Sequence, residues 1–240
     1  WERGLSTYLM EVCYFFISRI RYEVRLEEQS SVKLQACIGI KHVSFENSNI
    51  TIRGIQIKFE DCSFKNIDMN ATGRHVLSMS FSYTIWTGSS KLVFHLYGKI
   101  LFHQCSFINV LKKNYQVLEL QQCMKFLPKI YTILMWNIKY IVIKYSKFQK
   151  NLLVGEFIVT INVYAMFVSD AYFHSNVIIN GTILAIHNVT LMKIRNSHYA
   201  NNIDENVGGI VSFEKVRITI FTRVRISNNK VSMSGGGIWL

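Results

Sequence analysis

Proline occurs once in this chain of 240 residues, at Pro128, and no Ser-, Gly- or charge-rich tract interrupts the sequence. Without such a tract there is no linker to divide the chain, so one continuous domain over residues 1–240 is expected, with 1–30 as an irregular or N-terminal coil. Cysteine is also sparse. Cys13, Cys37, Cys62, Cys105 and Cys123 are too few and too scattered for a disulfide scaffold, and none forms a C-x-x-C pair. The seven histidines provide no H-x-x-x-H pair, so neither a metal nor another cofactor is expected. No apolar run reaches bilayer length: Leu5 to Ile20, the most apolar early stretch, is broken by Glu11 and Arg19. Aspartate is the scarcest acid, at Asp61, Asp68, Asp170 and Asp204 only, which leaves little for paired-carboxylate chemistry.

What the chain does have is apolar residues, which make up 50% of it, and a formal charge of +12. That charge suits nucleic acid, anionic lipid or acidic polysaccharide and does not choose among them. The chain opens on Trp1 and stops at Leu240 just after Gly235-Gly236-Gly237, in mid-repeat, and so reads as a piece of something longer.

A repeat organises it. Seven copies align on one large anchor: Phe45, Phe64, Phe107, Phe148, Phe173, Tyr199 and Ile226. Seven residues before each anchor stand Ile38, Ile57, Ile100, Ile141, Met166, Met192 and Thr219; five before stand Ile40, Phe59, Phe102, Ile143, Val168, Ile194 and Phe221. Two before, the residue is small or medium: Val43, Cys62, Cys105, Ser146, Ala171, Ser197 and Val224. Two or three after, every copy has asparagine, at Asn47, Asn66, Asn109, Asn151, Asn176, Asn202 and Asn229.

Weaker copies fill the double-length gaps, one at Met79, Phe81, Thr84 and Trp86, and one at Leu118, Leu120 and Cys123 with Lys125 at the anchor and a bulge near Pro128. Phe15, Ile17, Ile20 and Tyr22 form a tenth. Alternation that reverses phase across a three-residue step describes two short strands joined by a bend. Such a unit buries its apolar face only against like neighbours, so the units must stack. The expected fold is all-β, a right-handed parallel β-helix of about ten coils. A leucine-rich repeat is the alternative, because Ile57 to Phe64 and Ile100 to Phe107 fit its strand segment; phenylalanine anchors and the absence of a helical stretch between strands argue against it.

Asparagine after the anchor tolerates a left-handed backbone and can bond to the same residue one coil on. Glycine follows at Gly155, Gly181, Gly208-Gly209 and Gly235-Gly236-Gly237. The Phe-x-x-Asn spacing (Phe148 to Asn151, Phe173 to Asn176) followed by Gly-Gly-Ile or Gly-Gly-x-Ile resembles the repeats of chlamydial polymorphic outer-membrane proteins and similar surface β-helices, over the last hundred residues more than the first. The resemblance implies an extracellular or cell-surface solenoid used for adhesion or glycan contact.

One position before the anchor lies between two inward rows and must point outward. There the last copies place Lys147, Tyr172, His198 and Arg225, preceded by Lys125, a strip suited to stacking on sugar rings and pairing with sulfates or carboxylates. The row four before the anchor mixes Lys41, Glu60, Ser82, His103, Lys144, Ser169, Arg195 and Thr222, and this lack of clustered charge speaks against nucleic acid. Asp61 and Asp170 share the bend row but lie five coils apart, roughly 24 Å, too far to cooperate, and Asp204 with Glu205 reads as a solvated turn. Cys105 and Cys123, in one row of adjacent coils, are a candidate disulfide, with buried thiols as the other reading. Asn49, Asn70, Asn180 and Asn188 open N-x-[S/T] sequons, in keeping with secretion.

The function expected is non-enzymatic: a surface β-helix contacting an acidic polysaccharide or another surface protein, with no catalytic residue in this stretch. A polysaccharide lyase or hydrolase with its catalytic coils elsewhere, and a plain spacer, are the alternatives.

Overall fold

The computed structural model describes residues 7–10, 30–34, 39–54, 56–110, 131–204, 210–231 and 237–239. Among them every regular element is a β-strand, every strand pairing is parallel, and none is a helix. The chain is a parallel β-solenoid, and the leucine-rich alternative falls with the missing helices.

Each coil is built from three strands, one per ladder. The first ladder climbs through Ile57–Glu60, Ser78–Ser82, Lys99–His103 and Tyr140–Lys144 in unbroken register, carrying Phe59 onto Phe81, Phe102 and Ile143. The second holds the anchors, and the third runs from Thr7–Met10 to Ile238–Trp239. The bend expected between the first two is a single residue in left-handed conformation, occupied by His42, Asp61, Tyr83, Gln104, Tyr145, Asp170, Asn196 and Arg223, with φ from 49° to 57°. One such residue turns the strand and reverses which side faces in. That is why the inward rows stand at odd distances from the anchor before the bend and at even ones after it.

The count of about ten coils is not borne out. The anchor ladder has eight rungs, Phe45, Phe64, Trp86, Phe107, Phe148, Phe173, Tyr199 and Ile226, and six of them have a described rung on both sides. The sequence-predicted rung at Lys125 does not intervene. Phe107 pairs directly with Phe148, their rings stacked nearly parallel with centroids 4.9 Å apart. In sequence, residues 111–130 fall within the Phe107 coil, between its second-ladder strand Ser106–Val110 and its third-ladder strand Tyr131–Trp136; Leu118, Leu120, Cys123, Lys125 and Pro128 lie outside the described residues, as does the copy at Phe15 to Tyr22. The two extra strands at the front of the third ladder, Thr7–Met10 and Ser30–Leu34, have no described partners on the other ladders.

Anchors and their inward neighbours form one core of stacked rings. Phe64, Trp86, Phe107, Phe148, Phe173 and Tyr199 lie face to face, and Phe59, Phe81 and Phe102 make a second column that meets the first edge-on. Tyr199 carries the one discordant atom in its column: its hydroxyl is fully buried and has no hydrogen-bond partner, and burial drives its pKa far up. Removing an unsatisfied buried hydroxyl while keeping the ring removes a desolvation cost. Tyr199→Phe is therefore expected to raise stability by about 1 kcal/mol, read as a higher urea midpoint at unchanged slope.

The asparagine that follows each anchor proves to be two different residues structurally. Where it comes two after, as at Asn47, Asn66 and Asn109, it is the left-handed corner residue itself, with φ from 52° to 55°. Where it comes three after, the corner belongs to Lys150, Ser175, Asn201 and Asn228, and the asparagine turns inward. Asn151, Asn176 and Asn202 are fully buried and, with Asn229, form an internal ladder: the first three each donate from Nδ2 to the next Oδ1 at 2.7–2.9 Å, and all four donate to the carbonyl of the anchor one coil back. Spacing follows coil length. The longer last coils accommodate a short fourth strand, Leu152–Val154, Val177–Ile179, Ile203–Asp204 and Lys230–Val231, and the inward asparagine sits at its start. At the corner beyond, Gly181 lies where a Cβ would come within 2.3 Å of the Gly155 backbone, so glycine is required for the close approach of coils.

Candidate functional site

The second ladder fixes the outward strip. Register sets Lys147 beside Tyr172, Tyr172 beside His198, and His198 beside Arg225, one coil apart each, about 4.8 Å. All four predicted binding residues are thus brought into one continuous row between inward anchors and inward small residues. Lys147 and Arg225 are exposed, Tyr172 is about half exposed, and His198 is partly covered. The Tyr172 and His198 rings meet edge-on at 6.4 Å, and His198 Nε2 lies 3.1 Å from Ser227 Oγ. The row neighbour before Lys147 is Ser106, with Ile85 before that, so Lys125 does not extend the strip.

Electrostatics separates the two halves of the solenoid. In the front coils acids and bases pair across rungs, Lys41 on Glu60, Lys65 on Glu46 and His42 on Asp61, with Lys58 joining Glu60 from the same strand. In the later coils Glu214 takes both His187 and Lys215, while Lys147, Lys150, Lys193, Arg195 and Arg225 have no carboxylate within ion-pair distance among the described residues. His198 senses this. Desolvation first, then repulsion from Arg225 and His174, lowers its pKa from the ordinary histidine value, so its ring is neutral at neutral pH.

The row four before the anchor is assembled as expected, from Lys41 through Glu60, Ser82, His103, Lys144, Ser169 and Arg195 to Thr222. Asp61 and Asp170 do share the bend row, but four coils apart rather than five, because no rung intervenes after Gln104. At roughly 19 Å they still cannot act on one bond. Glu205 lies outside the described residues. Among the described residues no cluster of His, Cys, Asp and Glu could hold a metal.

Cys105 is a free, buried thiol whose row neighbours are Thr84, at 3.2 Å from its sulfur, and Ser146, whose Oγ accepts the Cys105 N–H. Adjacency of its coil to that of Cys123 was the ground for a disulfide, and Ser146 holds that place; Cys123 lies outside the described residues. Burial pushes the Cys105 thiol up to about 11, which makes it an inert thiol. The four sequon asparagines, Asn49, Asn70, Asn180 and Asn188, are all exposed. Asn188 is tied into an outer ladder, donating from Nδ2 to Asn162, which donates to Asn137.

Sequence reasoning missed a second outward feature. Six residues before the anchor the outward row reads Lys58, Ser80, Leu101, Val142, Phe167, Lys193, Ile220, so three consecutive later coils put apolar groups outside. The signal was present: strands that read I-K-F and M-S-F in front become I-L-F, I-V-I and M-F-V, losing alternation.

Compared with known proteins, the chain matches no protein-family model and no curated protein. What its geometry defines is a class, the parallel β-solenoid repeat proteins.

Proposed function

We propose that this solenoid is a non-enzymatic, extracellular or cell-surface β-helix domain that binds an acidic glycan along Lys147, Tyr172, His198 and Arg225. The observation that carries it is the row itself: two unpaired cations flanking a tyrosine and a histidine, held on adjacent rungs by strand register. A rigid ladder of this kind costs a linear polyanion little ordering on the protein side, and the aromatic rings supply faces for sugar stacking. Exposure of all four sequons supports the extracellular setting. Right-handed winding, the rule for parallel strands joined by crossovers, and kinship with surface β-helices of the polymorphic outer-membrane type belong to the same reading.

Retention on heparin or pectate resin tests it. The chain should be retained at low salt and released as salt rises, and the Lys147→Ala, His198→Ala, Arg225→Ala triple variant should elute at much lower salt. Acidification from about pH 8 to about pH 5 should strengthen retention as His198 gains its proton, with a smaller gain in His198→Ala. No retention at low salt sinks the proposal.

A further inference from the structure

The apolar row on the first ladder's outward face has no role in closing the coil. The core needs the residues seven and five before each anchor, and the front coils close with Lys58 and Ser80 in the place between. In the later coils that place holds Leu101, Val142 and Phe167, half-buried side by side, with Ile220 41% exposed two coils beyond Phe167. Tyr140 and Tyr164, edge to face at 5.8 Å, border the row on one side.

Cations surround it. Lys139 lies 5.5 Å from the Tyr140 ring, Lys193 interrupts the apolar row, and Lys144 and Arg195 stand in the flanking row. From Lys99 to Arg195 the outward rows of this ladder contain no acidic residue, and the one acid beside them, Asp170 at the bend after Ser169, accepts the Asn196 side-chain amide. The backbone groups of this face are already paired within the ladder. A peptide adding as a strand would find no free edge here. A planar anionic surface asks only for apolar and aromatic groups that enter an interface, ringed by cations, on a backbone with no unmet hydrogen bond.

We infer that this face is a docking surface for an anionic lipid bilayer, with Leu101, Val142 and Phe167 entering the headgroup boundary and Lys139, Lys144, Lys193 and Arg195 pairing with lipid phosphates or carboxylates. It lies on a different ladder from the glycan strip, so the two sites stand or fall separately.

Vesicle flotation of the intact chain tests the inference, using phosphatidylcholine alone and phosphatidylcholine with about three parts in ten phosphatidylserine. Partition onto the anionic vesicles should exceed that onto neutral ones by about tenfold or more and weaken with salt. Val142→Ser with Phe167→Ser, which copies the Ser80 coil, should abolish most of it while the far-UV circular dichroism stays unchanged. Should that pair unfold, Lys193→Glu with Arg195→Glu provides the same loss without touching an apolar group. The Lys147, His198, Arg225 alanine variant should bind vesicles as the unaltered chain does. Equal binding to neutral and anionic vesicles, binding that survives the serine pair, or loss in the strip variant alone would overturn the inference. So would light scattering that shows a dimer dissolved by the serine pair, because the face would then cover a second copy of the chain.

Discussion

Asn176→Ala should cost about 3–5 kcal/mol of stability, as much as removing a core aromatic, although the residue deleted is polar. Asn176 is fully buried, and its Oδ1 accepts both the Asn151 side-chain amide at 2.7 Å and the Asn151 backbone N–H at 3.2 Å. Its Nδ2 donates to Phe148 O and to Asn202 Oδ1, each at 2.9 Å. Alanine leaves two buried donors of Asn151 without an acceptor, and each orphaned donor costs about 1–3 kcal/mol. Asn176→Asp should be worse, since a carboxylate would face the Phe148 carbonyl and the Asn202 Oδ1, acceptor against acceptor, with a charge in the core. Asn201, one coil on and outside the ladder, is the contrast. It holds an exposed left-handed corner, and Asn201→Gly should cost no more than about 0.5 kcal/mol. Urea unfolding of the three variants checks the order, and equal costs for Asn176→Ala and Asn201→Gly would show that the buried ladder is not a source of stability.

That contrast also shows how far the sequence could be read. An asparagine two or three places after every anchor was legible, and so was its use at a turn or as a ladder. Which asparagine does which was not, because the difference lies in whether a coil is long enough to admit the fourth strand, as at Leu152–Val154. The inward rows were legible for a stronger reason. Each coil stacks in register on the next, so Ile57, Met79, Ile100 and Ile141 meet one demand, repeated. A rung at Lys125 fills the double gap by period alone, whereas a solenoid can also carry extra chain at one corner of a coil while the anchors Phe107 and Phe148 stack directly. The strip of Lys147, Tyr172, His198 and Arg225 was predictable from phase alone. The apolar outward row was not seen, because continuous apolar triplets such as Ile100-Leu101-Phe102 read simply as buried strand.

The insertion makes one interface of the solenoid unlike the rest, and Phe107→Ala should expose it. Phe107 is buried, stacked on Trp86 at 5.7 Å and on Phe148 at 4.9 Å, with Phe102 and Phe157 edge-on. Truncating so enclosed a ring costs about 3–5 kcal/mol through lost burial and the cavity left behind. In a solenoid the loss is local, because each coil touches only its neighbours and stability is a sum of coil and interface terms. Other coils pass from anchor strand to third-ladder strand through a short corner, whereas the Phe107 coil has residues 111–130 at that point of the chain, so stacking Phe148 on Phe107 must close a longer loop. The alanine variant is therefore expected to unfold in two steps where the unaltered chain unfolds in one. The asparagine ladder, which begins in the Phe148 coil, should hold the later half together after the front half has opened. Hydrogen exchange followed by peptide mass separates the halves: amides of Phe59, Phe81 and Phe102 should exchange at lower urea than those of Val168, Ile194 and Asn176. A single shared transition at a lower midpoint would mean that the solenoid is one cooperative unit across the insertion. In that case the difference between its two halves would be one of surface charge and chemistry, with no boundary in stability at the Phe107–Phe148 junction.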